Sequence, residues 1–347
     1  MKRIGMLCLT LVLLMSMLPW QICAAAEVVT GKHGDNLTWA YDPASATLTI
    51  SGQGDMLTLD RNSDYPWEMF QEEARTLVVE PGITSIADYA FHYFHIKSLQ
   101  LPEGLERIEA MAFYRCDKLT AVSLPAGLKT LGEKAFGDCW KLKEVVFPDT
   151  LEHIEAWAFI RCNDMEAVKL PDGLETIERA VFYECSSLTR VEFPRELKTI
   201  GYRAFAYCTS LKELVFPETL RVIENLAFFG CKGLTQVVFP EGLRVICNET
   251  FGKCVNLKDV TLPQSTYVFA NAFDGCPEIP VVEQRLARQQ IVFWGSIGLA
   301  VMVMLVWAIL DGIHHRRRRF WKRVGIGIAM VMLIYGLMFL LGIKDWF

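Results

Sequence analysis

Residues Leu142–Cys162 read LKEVVFPDTLEHIEAWAFIRC, and this stretch decides the fold. Lys143–Phe147 is a short β-type run whose side chains alternate inward and outward. Pro148 ends it, because proline has no N–H to give a ladder. Leu151, Ile154, Ala158 and Phe159 then return along the other side with their side chains facing the same interior. One such unit cannot bury these residues alone, but the unit recurs. Its Phe returns at Phe91, Phe113, Phe136, Phe159, Phe182, Phe205, Phe228, Phe251 and Phe273, always 22 or 23 residues apart. A proline keeps the same period, from Pro102 to Pro263. Stacking about nine units, with strands ~4.8 Å apart, makes one continuous core. Each buried Phe contributes roughly 1.5–3 kcal/mol, so the Phe column is expected to be a main source of stability.

The pattern LPxxLxxIxxxAFxxC resembles the BspA-type leucine-rich repeat surface proteins. Leu142, Val145 and Phe147 keep the L-x-x-L-x-L spacing of leucine-rich repeats, and the resemblance covers roughly Ala74 to Ile279. It implies a leucine-rich repeat solenoid, one β-strand plus a short return segment per turn. It also implies an outward-facing bacterial protein that binds macromolecules, as in adhesion, and performs no chemistry. The preceding stretch GDNLTWAYDPASATLTISGQGDM resembles the cap region of such proteins. Leu37 and Trp39, then Leu48 and Ile50, read as a β-hairpin turning at DPAS, placed to cover the open end of the solenoid. Residues 27–73 are thus read as an N-terminal β cap and 74–282 as the solenoid. Three departures stand out: Phe94 where other units have Cys, an extra Cys247, and a last unit ending in PEIPVVEQRLARQQ without an obvious capping repeat.

The ends of the 347-residue chain read differently. MKR, the apolar run Ile4–Leu18 and AAAE predict a secretory signal peptide over 1–26. After a juxtamembrane linker, 283–290, two uncharged runs follow at 291–310 and 324–343. Each has 20 residues, enough to cross ~30 Å of hydrocarbon. Between them, 311–323 carries Arg316–Arg319, Lys322 and Arg323, which predicts a cytoplasmic loop and an outward-facing repeat domain. The tail 344–347 then lies outside. The segment between the signal peptide and Ile291 holds 26 basic and 38 acidic residues, a net of −12, which argues against nucleic acid as a partner. Small residues at Ser296 and Ala300, and at Gly325 and Ala329, suit close packing of the two helices or a membrane partner. A sensory or scaffolding subunit of a membrane complex is the alternative to adhesion.

Chemistry is sparse. Cys116, Cys139, Cys162, Cys185, Cys208, Cys231, Cys254 and Cys276 share one place in each unit. They could form disulfides, ligate a metal or pack as small buried side chains. Parallel Cα–Cβ vectors hold Cβ atoms near ~4.8 Å, wider than the ~3.8 Å of a disulfide. A straight column does not converge on a zinc ion. A buried thiol ladder fits directly, and the nine cysteines beyond the signal peptide are an odd number. His92 and His95 hint weakly at metal. No nucleophilic arrangement, phosphate loop or catalytic carboxylate pair is visible, so no enzyme and no cofactor are expected.

The outward strand positions are the better functional candidates. One column runs Ser98, Ala121, Glu144, Ala167, Arg190, Glu213, Gln236 and Asp259. The other runs Gln100, Ser123, Val146, Lys169, Glu192, Val215, Val238 and Thr261. Glu144, Val146, Lys169, Arg190, Glu192, Glu213, Val215 and Gln236 form the expected surface for a protein or glycan ligand. Lys169 and Arg190 among Glu144, Glu192 and Glu213 suggest a cross-strand charge network. A rival patch is Tyr114, Trp157, Ile160, Tyr183 and Phe229 on the convex side.

Overall fold

The computed structural model describes residues 27–59 and 64–314, with side chains as far as Trp307. The signal peptide, the basic residues beyond His314, the second apolar run and the tail lie outside the described residues. The chain opens with β1 (Val29–His33), β2 (Leu37–Asp42), β3 (Thr47–Gly52) and β4 (Gly54–Asp55). β2 and β3 form the expected antiparallel hairpin, with Trp39 opposite Ile50. β1, which the sequence reading did not anticipate, adds antiparallel to β2. β3 then pairs in parallel with β5 (Thr76–Val79), so the hairpin is continuous with the repeat sheet.

From β6 (Ile83–Ile86) onward the chain winds as a β-solenoid. The nine Phe rungs bound about eight turns. Three-residue strands line one side: β7 (Ser98–Gln100), β9 (Ala121–Ser123), β11 (Glu144–Val146), β13 (Ala167–Lys169), β15 (Arg190–Glu192), β18 (Gln236–Val238) and β20 (Asp259–Thr261). In the turn between β15 and β18 the strand shrinks to one bridge, Val215 to Val238. Two-residue strands line a second side: β8 (Arg107–Ile108), β10 (Thr130–Leu131), β12 (His153–Ile154), β14 (Thr176–Ile177), β16 (Thr199–Ile200), β17 (Val222–Ile223), β19 (Val245–Ile246) and β21 (Tyr267–Val268). Within each series the strands that pair do so in parallel and in strict register, Val145 opposite Val122 and Ile177 opposite Ile200, with breaks between β7 and β9, β11 and β13, and β15 and β18 in the first series and between β12 and β14 in the second.

The third side is an arc around each Phe and has no strand. Its backbone still ladders from turn to turn: Phe113 N–H donates to Ala135 O at 2.8 Å and Phe159 N–H to Val181 O at 3.0 Å. To bend this tightly, the residues two before and two after the Phe adopt positive φ. Trp157 (58°) and Arg161 (56°) flank Phe159, and Lys134 (53°) and Asp138 (55°) flank Phe136. Fifteen non-glycine arc residues do so, and Gly230 and Gly275 take two of the remaining places. A left-handed non-glycine residue costs about 1 kcal/mol. Hydrogen bonds hold the strained residues in place: Trp157 N–H donates to Arg179 O at 2.9 Å and Arg161 N–H to Tyr183 O at 2.8 Å.

Inside the arc, the phenyl rings from Phe91 to Phe273 stack face to face in one unbroken column, with centroids 5.1–5.7 Å apart. Trp67 extends it by stacking on Phe91 at 5.6 Å, and its indole N–H donates to Ala90 O at 2.8 Å. A second, shorter stack of Phe193, Phe216 and Phe239 meets Phe205, Phe228 and Phe251 edge-on.

The C-terminal junction differs from the sequence reading. Residues 283–290 are not a separate linker but part of one helix, α1 (Pro280–His314). Pro280 starts it, where a missing N–H is harmless. Ile279 and Val282 are buried against the last turn, and Val281 and Leu286 pack beside them. The Arg285 guanidinium donates to Pro263 O at 2.9 Å, to Thr266 O at 3.3 Å and to Gln264 O. The first turns of α1 thus occupy the place where no capping repeat was visible. Over Pro280–Trp307 the helix is long and apolar enough, by length and composition, to cross a membrane, and from Ile291 onward most of its apolar side chains are exposed.

Candidate functional site

The three-residue strands from β9 to β18 bury the middle residue and expose the two beside it, and in β7 and β20 the middle residue is half-buried, the period of two made visible. All sixteen outward residues of the two columns are exposed. Their framework is rigid, because Val122, Val145, Val168 and Val191 anchor the strands from beneath. Val146, Val215 and Val238 are 51%, 78% and 60% exposed, so this face carries apolar side chains that the core does not use. A shallow depression lies on it, between Glu144 and Val146 on one side and Arg190 and Glu192 on the other, with Lys169 at its centre.

The expected charge network is smaller than the sequence suggested. Arg190 pairs with Glu192 at 2.9 Å, within one strand. Among the described residues no ion pair joins Lys169 or Arg190 to Glu144 or Glu213. The register explains it: Lys169 stands opposite Glu192, and Arg190 has already taken that carboxylate. Among the described residues Lys169 is therefore left without an ion pair on an exposed face. Glu213 lies in the single-bridge turn, where the strand is shortest, and Gln236 begins the next strand, β18.

The rival convex patch is interlocked. Trp157 lies between the Lys134 ammonium (4.5 Å) and the Arg179 guanidinium (4.7 Å). Arg179 continues to Tyr202, on which Arg203 also rests. Arg115 sits within 5.4–5.8 Å of the rings of Tyr93, Tyr114 and Trp140. The Tyr114 hydroxyl donates to buried Asp138 at 2.7 Å. Burial, then that hydrogen bond, pushes the Tyr114 phenol up to about 12. Tyr183 meets Tyr207 edge-on, and Phe229 is buried beneath Lys253. Ile160 and Tyr114 both press on Gly137, where a Cβ would come within 3.0 and 3.2 Å of them. These side chains tie adjacent turns together.

The cysteine column has its own geometry. All nine described cysteines are free. Each thiol of the ladder donates to the Phe carbonyl of the preceding turn: Cys139 to Phe113 O at 3.2 Å, Cys162 to Phe136 O at 3.3 Å, Cys208 to Phe182 O at 3.2 Å. Cys116, Cys185, Cys231, Cys254 and Cys276 repeat the contact at 3.1–3.3 Å. A side chain small enough for the interior, with one donor, is what this place requires. Burial pushes the Cys185 thiol up to about 12. Phe94 occupies this place in the first unit, ahead of the first Phe carbonyl. Cys247 stands outside the column, and burial pushes it up to about 11.

The histidines point apart. His95 contacts Glu72 at 2.9 Å and Asp117 at 3.6 Å, while His92 Nδ1 lies 2.6 Å from Tyr89 O. Among the described residues no group of three or more His, Cys, Asp or Glu is arranged to hold a metal ion.

Comparison with known proteins decides the family. The sequence profile described as "BspA type Leucine rich repeat region (6 copies)" matches residues 69–189 and 153–280, well over half of the chain. The chain belongs to the BspA-type leucine-rich repeat family. Solved structures to which the chain is similar include the Treponema pallidum leucine-rich repeat protein TpLRR. It is 24% identical over 74% of this chain and 94% of its own, with a TM-score of 0.41. A leucine-rich cell surface protein of Faecalibacterium prausnitzii is 17% identical over 74% of this chain and all of its own (TM-score 0.39). The pneumococcal vaccine antigen PcpA is 17% identical over 73% and 88% (TM-score 0.33). No curated protein matches the chain. Leucine-rich repeat proteins are generally non-catalytic binding scaffolds, and no enzyme family is indicated.

Proposed function

We propose that this BspA-type protein is a membrane-anchored, outward-facing binding scaffold that uses its strand face to hold a protein or glycan on another cell or matrix. The observation that carries this reading is the difference in engagement between surfaces. The strand face exposes Val146, Val215 and Val238 beside Lys169 and the Arg190–Glu192 pair, without any of them bracing a neighbouring turn. Exposed apolar groups rimmed by charge are the composition of a recognition surface. The exposed apolar helix α1 supports anchoring, since water around so many bare Leu, Val and Trp side chains is unfavourable. The N-terminal hairpin serves as the cap that keeps the first sheet edge from pairing with other chains. A second apolar run and a cytoplasmic basic loop complete the anchor.

The test uses the full chain in lipid nanodiscs against protein and glycan fractions of cell-surface extracts. The triple variant Lys169→Glu, Arg190→Glu, Val215→Asp is expected to lose binding while its melting temperature stays close to that of the parent. Undiminished binding by the triple variant would refute the strand-face assignment.

A further inference from the structure

We propose that the junction between the last turn and α1 is a binding site for an anionic phospholipid, with the phosphate of the headgroup at Arg288 and an acyl chain along Val292 and Phe293. This rests on reading α1 as the membrane anchor. A depression opens where the helix leaves the solenoid. Its rim is polar, made by Gln264, Tyr267, Arg288 and Gln289. Its floor is Val292, Phe293 and Ser296. The Ser296 hydroxyl donates to Val292 O at 2.7 Å, so the floor presents no unpaired donor. Polarity therefore reverses within two helical turns, at the level of Ile291, where the apolar run begins. A phospholipid has the same reversal between its phosphate and its acyl chains.

Two side chains fix the walls. Arg285 is committed to the carbonyls of Pro263, Gln264 and Thr266. The Gln289 amide, oriented to satisfy both ends, donates to Val268 O at 3.0 Å and accepts from Val268 N–H at 3.2 Å. It thereby pairs with the last strand, β21, as another strand would. Arg288 is the exception. It follows Arg285 by three residues, which puts the two guanidiniums on one helix face. It is exposed, and among the described residues it has no ion pair or hydrogen bond. Glu283 lies five residues away, off that face, and does not line the depression. A free planar fork beside a second guanidinium, above an apolar floor, suits a phosphate with a chain attached.

Electrostatics gives the site a purpose. The acidic exterior, net −12, is repelled by an anionic bilayer surface. A cation pair at the point of entry offsets that repulsion locally and would hold one lipid against the anchor.

The experiment reconstitutes the full chain with equal phosphatidylcholine and phosphatidylglycerol and counts retained lipids by native mass spectrometry. Selective retention of phosphatidylglycerol is expected. Arg288→Gln should lower that retention about 5-fold, the effect of one interfacial arginine, and Arg288→Lys should restore part of it. Arg288 makes no ion pair or hydrogen bond among the described residues, so both variants should melt like the parent. Equal retention of the two lipids, or retention unchanged in Arg288→Gln, overturns the site. Displacement of the lipid by millimolar inorganic phosphate also overturns it, by assigning the pocket to free phosphate. Flotation with vesicles of phosphatidylcholine alone separates the two readings. A chain that floats without lipid selectivity loses only this site, and one that floats with neither vesicle loses the anchor as well.

Discussion

The Phe arc and the strand face lie on the same turns, are built from the same repeat, and behave oppositely. On the arc the side chains tie one turn to the next. The rings stack at 5.1–5.7 Å, the thiols bond to carbonyls, and the outer aromatics sandwich cations of the next turn. On the strand face the inner residue is fixed and the outer two are free to vary. The difference teaches where a repeat protein can change without unfolding. Stability is concentrated where one turn depends on the next, and recognition is left to positions with no such duty.

The largest expected effect breaks the arc at its centre. Phe182→Ala removes a ring stacked on both sides and should cost about 3–5 kcal/mol in chemical denaturation. Melting unchanged by that substitution would end the claim that the column carries the fold. At the N-terminal end, Trp67→Phe loses the indole donor to Ala90 O along with part of the stack, and about 1–3 kcal/mol should follow.

The thiols sharpen the comparison through pH. In the folded chain burial pushes the Cys185 thiol up to about 12, from an ordinary value of 9.0. Its folded value is raised, so its contribution is fully present below pH 9 and is lost as the pH climbs toward 12. Unfolding free energy measured across that window should therefore decline, and more gently in Cys185→Ala. Within the native state, a thiol reagent at pH 8 should leave Cys185 and its buried neighbours unmodified. Partly buried Cys247 and Cys276 should be the first to react.

A smaller effect concerns strain. Leu226 holds φ at 60° in the arc. Leu226→Ile keeps the volume and adds a β-branch that tolerates this conformation poorly, so about 1 kcal/mol should be lost. Leu226→Gly relieves the strain and should fall clearly short of that loss, a contrast that thermal melts of the pair can read. Smallest of all, Arg190→Ala on the strand face should move stability by no more than about 0.5 kcal/mol.

Much of this was legible in the sequence, and the reason is the period. The spacing of Phe91 to Phe273 predicted the column, and Val145 between Glu144 and Val146 predicted the strand facing. The hairpin at Leu37–Ile50 was readable from its alternation. What escaped had no local signature. Positive φ at Trp157, Arg161 or Lys134 is invisible in residues that are not glycine, because the ladder enforces it from outside. β1 carries too few apolar residues to announce a strand, and it exists because β2 offers an open edge. Arg285 and Gln289 looked like linker residues until the helix brought them against the final turn. The charge network was over-read, since composition cannot tell which carboxylate Arg190 will reach.

The central claim is that binding and folding occupy different sides of each turn. The direct test measures ligand binding and melting together for two variants of the full chain in nanodiscs. One changes the strand face, Lys169→Glu with Arg190→Glu and Val215→Asp, and the other changes the outer arc, Trp140→Ala with Tyr93→Ala. The account predicts lost binding with unaltered melting for the first, and retained binding with lowered melting for the second. The reverse pattern, binding kept by the strand-face variant and abolished by the arc variant, would contradict it.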